Sequence, residues 1–280
     1  MTLSPLIVLG RGGGGTRLAS ALVADLGCFL GNDMNESGDS LEMVSPIYGG
    51  VIRRSLAEGH SPSSCTVHEL HTAAAAMRAR GPTNPLWGFK LPEAMLILPE
   101  LMDAFPEARI LHLLRDPLDT CLRRTHQTAR MDNAIGCAAL AAAYRHLGRP
   151  LDRIGGDHPA MHMACTTVHQ IETVMPILSA MPSHRCLEVR FEQLIADPHR
   201  SLTRAAAWLG VQPVRTSLVN LVDRQRAQSM QAHFPAEVVA EVATIVKPLR
   251  QRLGYVPTDR AGARTPDLGS TGSVTTAIPS

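Results

Sequence analysis

The sequence predicts an α/β fold: a doubly wound, mostly parallel sheet of four to five strands flanked by helices. Three observations predict it. The apolar run Leu6-Ile7-Val8-Leu9 enters a glycine turn, Gly10-Arg11-Gly12-Gly13-Gly14-Gly15, and then a helical pattern that starts at Thr16. A second run, Arg109-Ile110-Leu111-His112-Leu113-Leu114-Arg115, shows the weak alternation of a parallel strand covered on both faces. Strand-like and helix-like stretches then alternate along the chain.

Each element follows from local signals. After Thr16, the apolar positions Leu18, Ala21, Leu22 and Leu26 share one helix face. Cys28-Phe29-Leu30-Gly31 is short enough for a second strand, and the polar loop from Asn32 to Ser40 carries Asp33, Glu36 and Asp39. Helices are expected over 41–58 and 66–80, parted by a loop at 59–64 suited to a lid. Trp87-Gly88-Phe89-Lys90-Leu91-Pro92 reads as a strand ended by proline, with a helix over 94–105. Asp116 is placed to cap the next helix and Pro117 to open it, which leaves Arg115 at a strand tip.

Further helices are expected over 118–130, 134–146 and 158–180, the last broken near Pro176. Cys186 to Phe191 forms another strand. Asp197-Pro198 starts a helix closed by Gly210, and a final amphipathic helix covers 235–253. From Thr258 onward Gly, Ser, Thr, Pro and Ala dominate, so a single domain over 1–257 and a disordered tail over 258–280 are expected.

Bulk properties narrow the function. The 27 Lys and Arg against 25 Asp and Glu leave a net charge of +2, too balanced for a nucleic-acid coat. Cys28, Cys65, Cys121, Cys137, Cys165 and Cys186 lack C-x-x-C spacing and read as reduced thiols. No apolar run approaches the roughly 18 residues that would span a bilayer, and no secretory signal pattern stands at the N-terminus. A cytoplasmic location is expected.

The turn itself points to an anion. Glycine-rich backbone gives up side chains where amides must approach a ligand, and the helix that follows turns free N–H groups toward it. The spacing from Gly10 to Gly15 copies a Walker A loop, yet Thr16 and Arg17 stand where that motif needs Lys and then Ser or Thr. A metal-assisted NTPase is therefore disfavoured. A dinucleotide reading over Gly10, Gly12 and Gly15 needs an acid about 20 residues on, and Asp33 could serve.

With the turn, Arg115-Asp116-Pro117-Leu118-Asp119 and Val189-Arg190-Phe191-Glu192-Gln193-Leu194-Ile195-Ala196-Asp197-Pro198 in this order, the chain resembles the sulfotransferases that use 3'-phosphoadenosine 5'-phosphosulfate (PAPS). Phe105-Pro106-Glu107-Ala108-Arg109 before the second motif and Leu253-Gly254-Tyr255 near the end extend the likeness over residues 5–254. The resemblance implies a P-loop-like α/β fold without a metal requirement. It implies the 5'-phosphosulfate on Arg11, Gly12, Gly13, Gly14, Gly15, Thr16, Arg17 and Leu18, and the 3'-phosphate on Arg115. Lys90 matches a lysine that bears on the transferring sulfuryl group, and Phe191 falls where relatives often have a tyrosine near adenine.

Departures from the pattern are informative. Gly13 stands where members usually carry Lys or Arg, so Arg11, Arg17 or Lys90 must supply that charge. Arg123 replaces a serine that contacts the 3'-phosphate, a role a guanidinium can fill. No histidine follows Lys90 directly; the resemblance to the carbohydrate and protein sulfotransferases, whose base is a glutamate in the loop after the second strand, implies Glu36, with Asp33 and Asp39 beside it and Glu93 and His126 as fallbacks of cap or surface type. The catalytic set is then Glu36, Lys90 and Arg17, and Arg224 and Arg226 are candidates to close over the nucleotide.

Other constellations carry less. His68-Glu69-Leu70-His71 is one residue short of a zinc helix motif, and His158 and His162 lack a third ligand. The expected partners are a small-molecule acceptor (sugar, lipid or natural product) and, as an open option, further copies of the chain. Nucleic acid and a membrane span are not expected. Two alternatives remain at this stage: a catalytically inactive nucleotide-binding protein of the same fold, and a metal-independent phosphotransferase.

Overall fold

In the computed structural model, which describes residues 4–57, 63–82, 86–222 and 229–256, four parallel strands form one sheet in the order β2-β1-β3-β4. In chain order the elements are β1 (Leu6–Gly10), α1 (Thr16–Asp25), α2 (Val44–Leu56), α3 (Ser64–Ala79), β2 (Gly88–Lys90), α4 (Leu98–Ala104), β3 (Arg109–Leu114) and α5 (Pro117–Cys121). They continue with α6 (Ala134–His146), α7 (Pro159–Ala180), β4 (Cys186–Arg190), α8 (Phe191–Ala196), α9 (Pro198–Leu209), α10 (Ser217–Leu221) and α11 (Ala236–Arg252). Short 3-10 turns cover Leu41–Met43, Pro92–Ile97 and Gln127–Ala129.

Alternate residues of the central strands serve two cores. Leu6, Val8, Leu111 and Leu113 pack with α1 and α9, whereas Ile7, Leu9, Ile110 and Leu114 pack with α2, α4, α7 and α11 on the opposite face. Both faces are therefore covered, which is the expected doubly wound arrangement. Register sets which tips are neighbours: Gly10 pairs with Leu113, and Leu114 pairs with Arg190. The chain segments that leave β1, β3 and β4 thus emerge side by side, at the edge where open α/β sheets bind ligands.

Several expectations need correction. The strand at Cys28–Gly31 reduces to one bridge between Phe29 and Trp87, because Gly31 takes a φ of +121° and the Asn32 amide turns to Glu42 (2.7 Å). The helix over 118–130 stops at Cys121; Leu122 leaves helical space (ψ 47°), and His126 starts a separate turn by accepting from the Thr128 amide. α7 runs past Pro176 without a break. Asp116 and Asp197 cap α5 and α9 through the Leu118 and Arg200 amides (2.9 Å each), and Gly210 closes α9 at φ +71°. The 258–280 tail, Arg224, Arg226 and most of the 59–64 loop lie outside the described residues.

Buried polar groups are mostly answered locally. Asp25, at the end of α1, accepts from Ser217 Oγ (2.5 Å) and the Leu218 amide (2.7 Å), tying α10 to α1. His112, in the middle of β3, is instead held neutral: burial pulls it down to about 4. No helix among the described residues is long and apolar enough to cross a membrane.

A histidine whose native value lies below its unfolded value of about 6.5 adds stability above that value and loses it as pH falls toward 4. His112 should therefore account for a loss of up to about 3 kcal/mol on acidification. Urea unfolding of His112→Leu at pH 7 and at pH 4.5 should show a smaller drop than the wild-type chain. Equal drops would show that His112 does not titrate on unfolding.

Candidate active site

The glycine turn is shaped by what lies on it. Gly13 and Gly15 take φ values of +89° and +96°, and the Gly14 amide donates to the Arg11 carbonyl (2.8 Å). A Cβ on Gly12 would penetrate the His126 ring, and one on Gly15 the Phe191 ring, so backbone alone fits at both positions. Gly15 opens α1, and first-turn amides such as those of Thr16 and Arg17 have no helical carbonyl to meet. The Leu18 amide bonds the Gly15 carbonyl (2.9 Å), and Arg17 projects to the surface.

Arg11 does not reach the mouth of the turn. Its guanidinium is buried beneath it, donating to Thr166 Oγ1 (2.7 Å), Thr167 Oγ1 (3.2 Å) and Met163 Sδ (3.4 Å), all on α7. Burial pulls it down to about 10. Its charge sits behind the peptide amides, which corrects the expectation that it touches a ligand from the side of the loop.

At the tip of β3, Arg115 lies over the Phe191 ring at 4.1 Å. Burial and then the nearby Arg123 guanidinium pull it down to about 10, and burial lowers Arg123 as well. Two like charges held together in a partly desolvated corner favour a polyanion between them. The acids that follow in sequence are occupied elsewhere: Asp116 takes a two-pronged bond from Arg250 (2.8 Å twice), and Glu192 accepts from the Asp116 amide (2.9 Å) and the Tyr255 hydroxyl (3.1 Å).

Lys90 ends β2 with a buried ammonium paired to Asp39 and donating to the Ser37 carbonyl (2.9 Å). Burial lowers it, and Asp39 opposes that shift. The same loop is pinned through Ser40, whose hydroxyl donates to the Leu30 carbonyl (2.6 Å) and accepts from the Lys90 amide (3.0 Å). Glu36 lies on the outer, exposed side of that loop, so the carboxylate facing Lys90 is Asp39.

Sequence reasoning undervalued a buried cluster two steps beyond Lys90. Glu93 accepts from Gln127 Nε2 (2.8 Å) and faces His126 Nε2 at 3.3 Å, while Gln127 also bonds the Tyr48 hydroxyl. Glu93 is fully buried rather than a surface cap, and burial raises its proton affinity. His126 is held well below its ordinary value by burial and by the Arg11 charge. With its Nδ1 accepting from the Thr128 amide, its proton belongs on Nε2, toward Glu93. The signal was present: Glu93 follows Lys90-Leu91-Pro92 at once.

A profile of the sulfotransferase family matches residues 51–215. The chain belongs to the sulfotransferase family. The matched span holds Lys90, Glu93, Arg115, Arg123, His126 and Phe191, and the glycine turn precedes it. A sulfotransferase from Alicyclobacillus acidocaldarius is 15% identical with a TM-score of 0.53, covering 91% of this chain and 97% of that one. One from Mycobacterium avium is 12% identical with a TM-score of 0.51, covering 90% and 77%. A mouse sulfotransferase complexed with PAP is 11% identical with a TM-score of 0.50, covering 91% and 86%. No curated protein matches the chain.

In this sulfotransferase the turn, Arg115 and Phe191 are brought into one corner: a Cβ on Gly14 would lie 3.9 Å from that of Arg115. Phe191 is 6% exposed, with Arg115 over its ring and Gly15 at its edge, so it packs the corner rather than offering an open stacking face. His71, His158 and His162 are engaged with Ala104 O, the Ala160 amide and Ile154 O respectively. Among the described residues no group of three or more His, Cys, Asp or Glu is arranged to hold a metal.

The fit at Gly15 has a direct test. Gly15→Ala combines a positive φ with intrusion into the Phe191 ring and should cost about 2–4 kcal/mol in urea unfolding. Adding Phe191→Ala removes the steric part, so the double variant should lose less than the two single losses added together. Strict additivity would show that the contact is not tight.

Proposed function

We propose that this sulfotransferase moves a sulfuryl group from PAPS to a hydroxyl or amine of a small-molecule acceptor. When bound, PAPS supplies the activated sulfuryl group, and adenosine 3',5'-bisphosphate (PAP) is the product left on the protein. The observation that carries this reading is the closeness of two unlike anion-binding features. The glycine turn, with the first-turn amides of α1 at Thr16 and Arg17, and the Arg115–Arg123 pair share one corner, close enough for a single oxygen-rich molecule to touch both. The mouse sulfotransferase complexed with PAP supports the choice of nucleotide.

The residues divide the work by charge. Amides of the turn and the first turn of α1 hold the 5' end, with Arg17 at its mouth and Arg11 adding positive potential from beneath. Arg115 and Arg123 hold the 3'-phosphate through planar forks. Lys90 would leave Asp39 and the Ser37 carbonyl to balance charge as the bridging oxygen departs.

The acceptor must lose a proton. Glu36 is exposed, with no contact to the turn, whereas the His126 ring lies on Gly12 and Glu93 lies beside that ring. Burial raises the proton affinity of Glu93, the direction a general base requires. Glu93 takes the proton in this reading, in place of Glu36, on the Oε2 that has no hydrogen-bond partner among the described residues, while His126 Nε2–H and Gln127 hold its Oε1.

Calorimetry with PAP tests the donor site. The wild-type chain should bind it with EDTA present, and Arg115→Ala should weaken binding by about 1.5–3 kcal/mol for a lost charge-assisted contact. No binding by the wild-type chain, or an unchanged affinity in the variant, overturns the assignment. With radiolabelled PAPS and an acceptor panel, Glu93→Gln should lower kcat by about 100-fold or more, while Glu36→Gln should stay within about twofold. The opposite ranking would return the base to Glu36.

A further inference from the structure

A cavity of about 700 Å³ opens between α2, α6, α7 and the 3-10 turn at Pro92–Ile97, on a part of the molecule that the proposed chemistry does not use. Its floor is apolar, made by Val51, Met95 and Leu96, and one wall is the alanine-rich stretch Ala138 to Ala142 of α6. Small residues along that stretch leave room where larger ones would fill it. The volume lies within the range of cavities that hold small organic ligands.

Charge and hydrogen bonding select the occupant. No carboxylate lines the cavity, while Arg54, Arg145, His146 and His169 do. The Arg54 charge is met by Glu100 (2.9 Å), so the surplus at the rim belongs to exposed Arg145. On the wall, Gln170 is 1% exposed and donates to Thr128 Oγ1 (3.3 Å), but its carbonyl oxygen has no partner among the described residues. The same holds for His169 Nδ1. Both atoms are themselves buried, so what this wall offers an occupant is mainly apolar surface, and the charge at the rim sets the chemistry of its polar end.

We infer that this cavity binds a small amphiphile, an apolar chain ended by an anionic group, with the chain along the alanines of α6 and the anion at Arg145. The cavity is also wired to the reaction centre. Gln170 holds Thr128, and Thr128 Oγ1 lies 3.0 Å from His126 Nδ1, so the wall of the cavity packs through to the ring that rests against Gly12. The inference does not depend on the identity of the donor nucleotide.

Isothermal titration of the full chain with decanoate, kept monomeric in solution, and with uncharged decanol tests it. Decanoate should bind saturably at one site with a dissociation constant at or below about 1 mM, and decanol about two- to fivefold more weakly, as one exposed ion pair allows. Ala142→Trp, which places an indole in the cavity, should weaken decanoate at least about tenfold, the loss of about 1.4 kcal/mol of binding. Arg145→Ala should weaken decanoate about two- to fivefold and leave decanol unchanged. A cooperative thermal transition confirms that each variant is folded, and Ala138→Leu replaces Ala142→Trp if the latter is not. Decanoate that fails to bind the wild-type chain, binds the filled variant equally well, or binds no better than decanol overturns the proposal.

Discussion

Three buried cations, Arg11, Lys90 and Arg115, with half-buried Arg123 beside the last, crowd one edge of the sheet around a turn that has almost no side chains, and burying that much like charge is the constraint the rest of the structure answers. Removing a charge from water is costly unless something in the protein replaces its hydration. Each cation is answered differently. Lys90 takes Asp39, Arg11 takes two threonine hydroxyls, and Arg115 takes the face of Phe191. Asp119 opposes the mutual repulsion of Arg115 and Arg123, while the Arg11 charge rests on hydroxyls in place of a directly bonded carboxylate. A corner that gathers cations at a cost to folding is one that stores affinity for an anion.

Acidic residues close to the site have partners of their own. Asp116 adjoins Arg115 in sequence, yet its carboxylate is divided between the α5 amide at Leu118 and the Arg250 fork. Glu192 adjoins Phe191, and it is held by the Asp116 amide and the Tyr255 hydroxyl. The end of α11 thus works as a clasp over the tips of β3 and β4, completed by Arg190 donating to the Leu253 carbonyl (2.9 Å). It fixes the arginine corner by holding Asp116 and Glu192 in place beside it.

The parts of this arrangement that were legible in the sequence are those set by local chemistry. Alternating apolar runs, Asp-Pro helix starts at 116 and 197, and the terminal glycine at 210 depend on neighbours within a few residues, and the structure follows them. The strand at 28–31 and the long helix at 118–130 were misread because distant groups outweigh local propensity there: Glu42 pulls the Asn32 amide away, and His126 caps its own turn. In the site, residue types were readable but directions were not. Arg11 points inward because the threonines of α7 wait about 155 positions later. Glu93 and His126 meet only because the turn after α5 folds back onto the segment that follows β2.

The absence of a cation at Gly13 takes on a different meaning once the floor of the turn is visible. A Cβ at Gly13 would meet the Thr120 carbonyl (3.6 Å) and Met163 Cε (3.7 Å) at ordinary contact distance. That floor is already occupied: the Arg11 guanidinium contacts the Met163 sulfur and the hydroxyls beside it. A cation at position 13 would stand close to the Arg11 guanidinium, and glycine spares Arg11 a like-charged neighbour. Coulomb attraction weakens only gradually with distance in a poorly hydrated setting, so a cation beneath the amides still acts on an anion above them. The charge has changed its address in the sequence while remaining under the same turn.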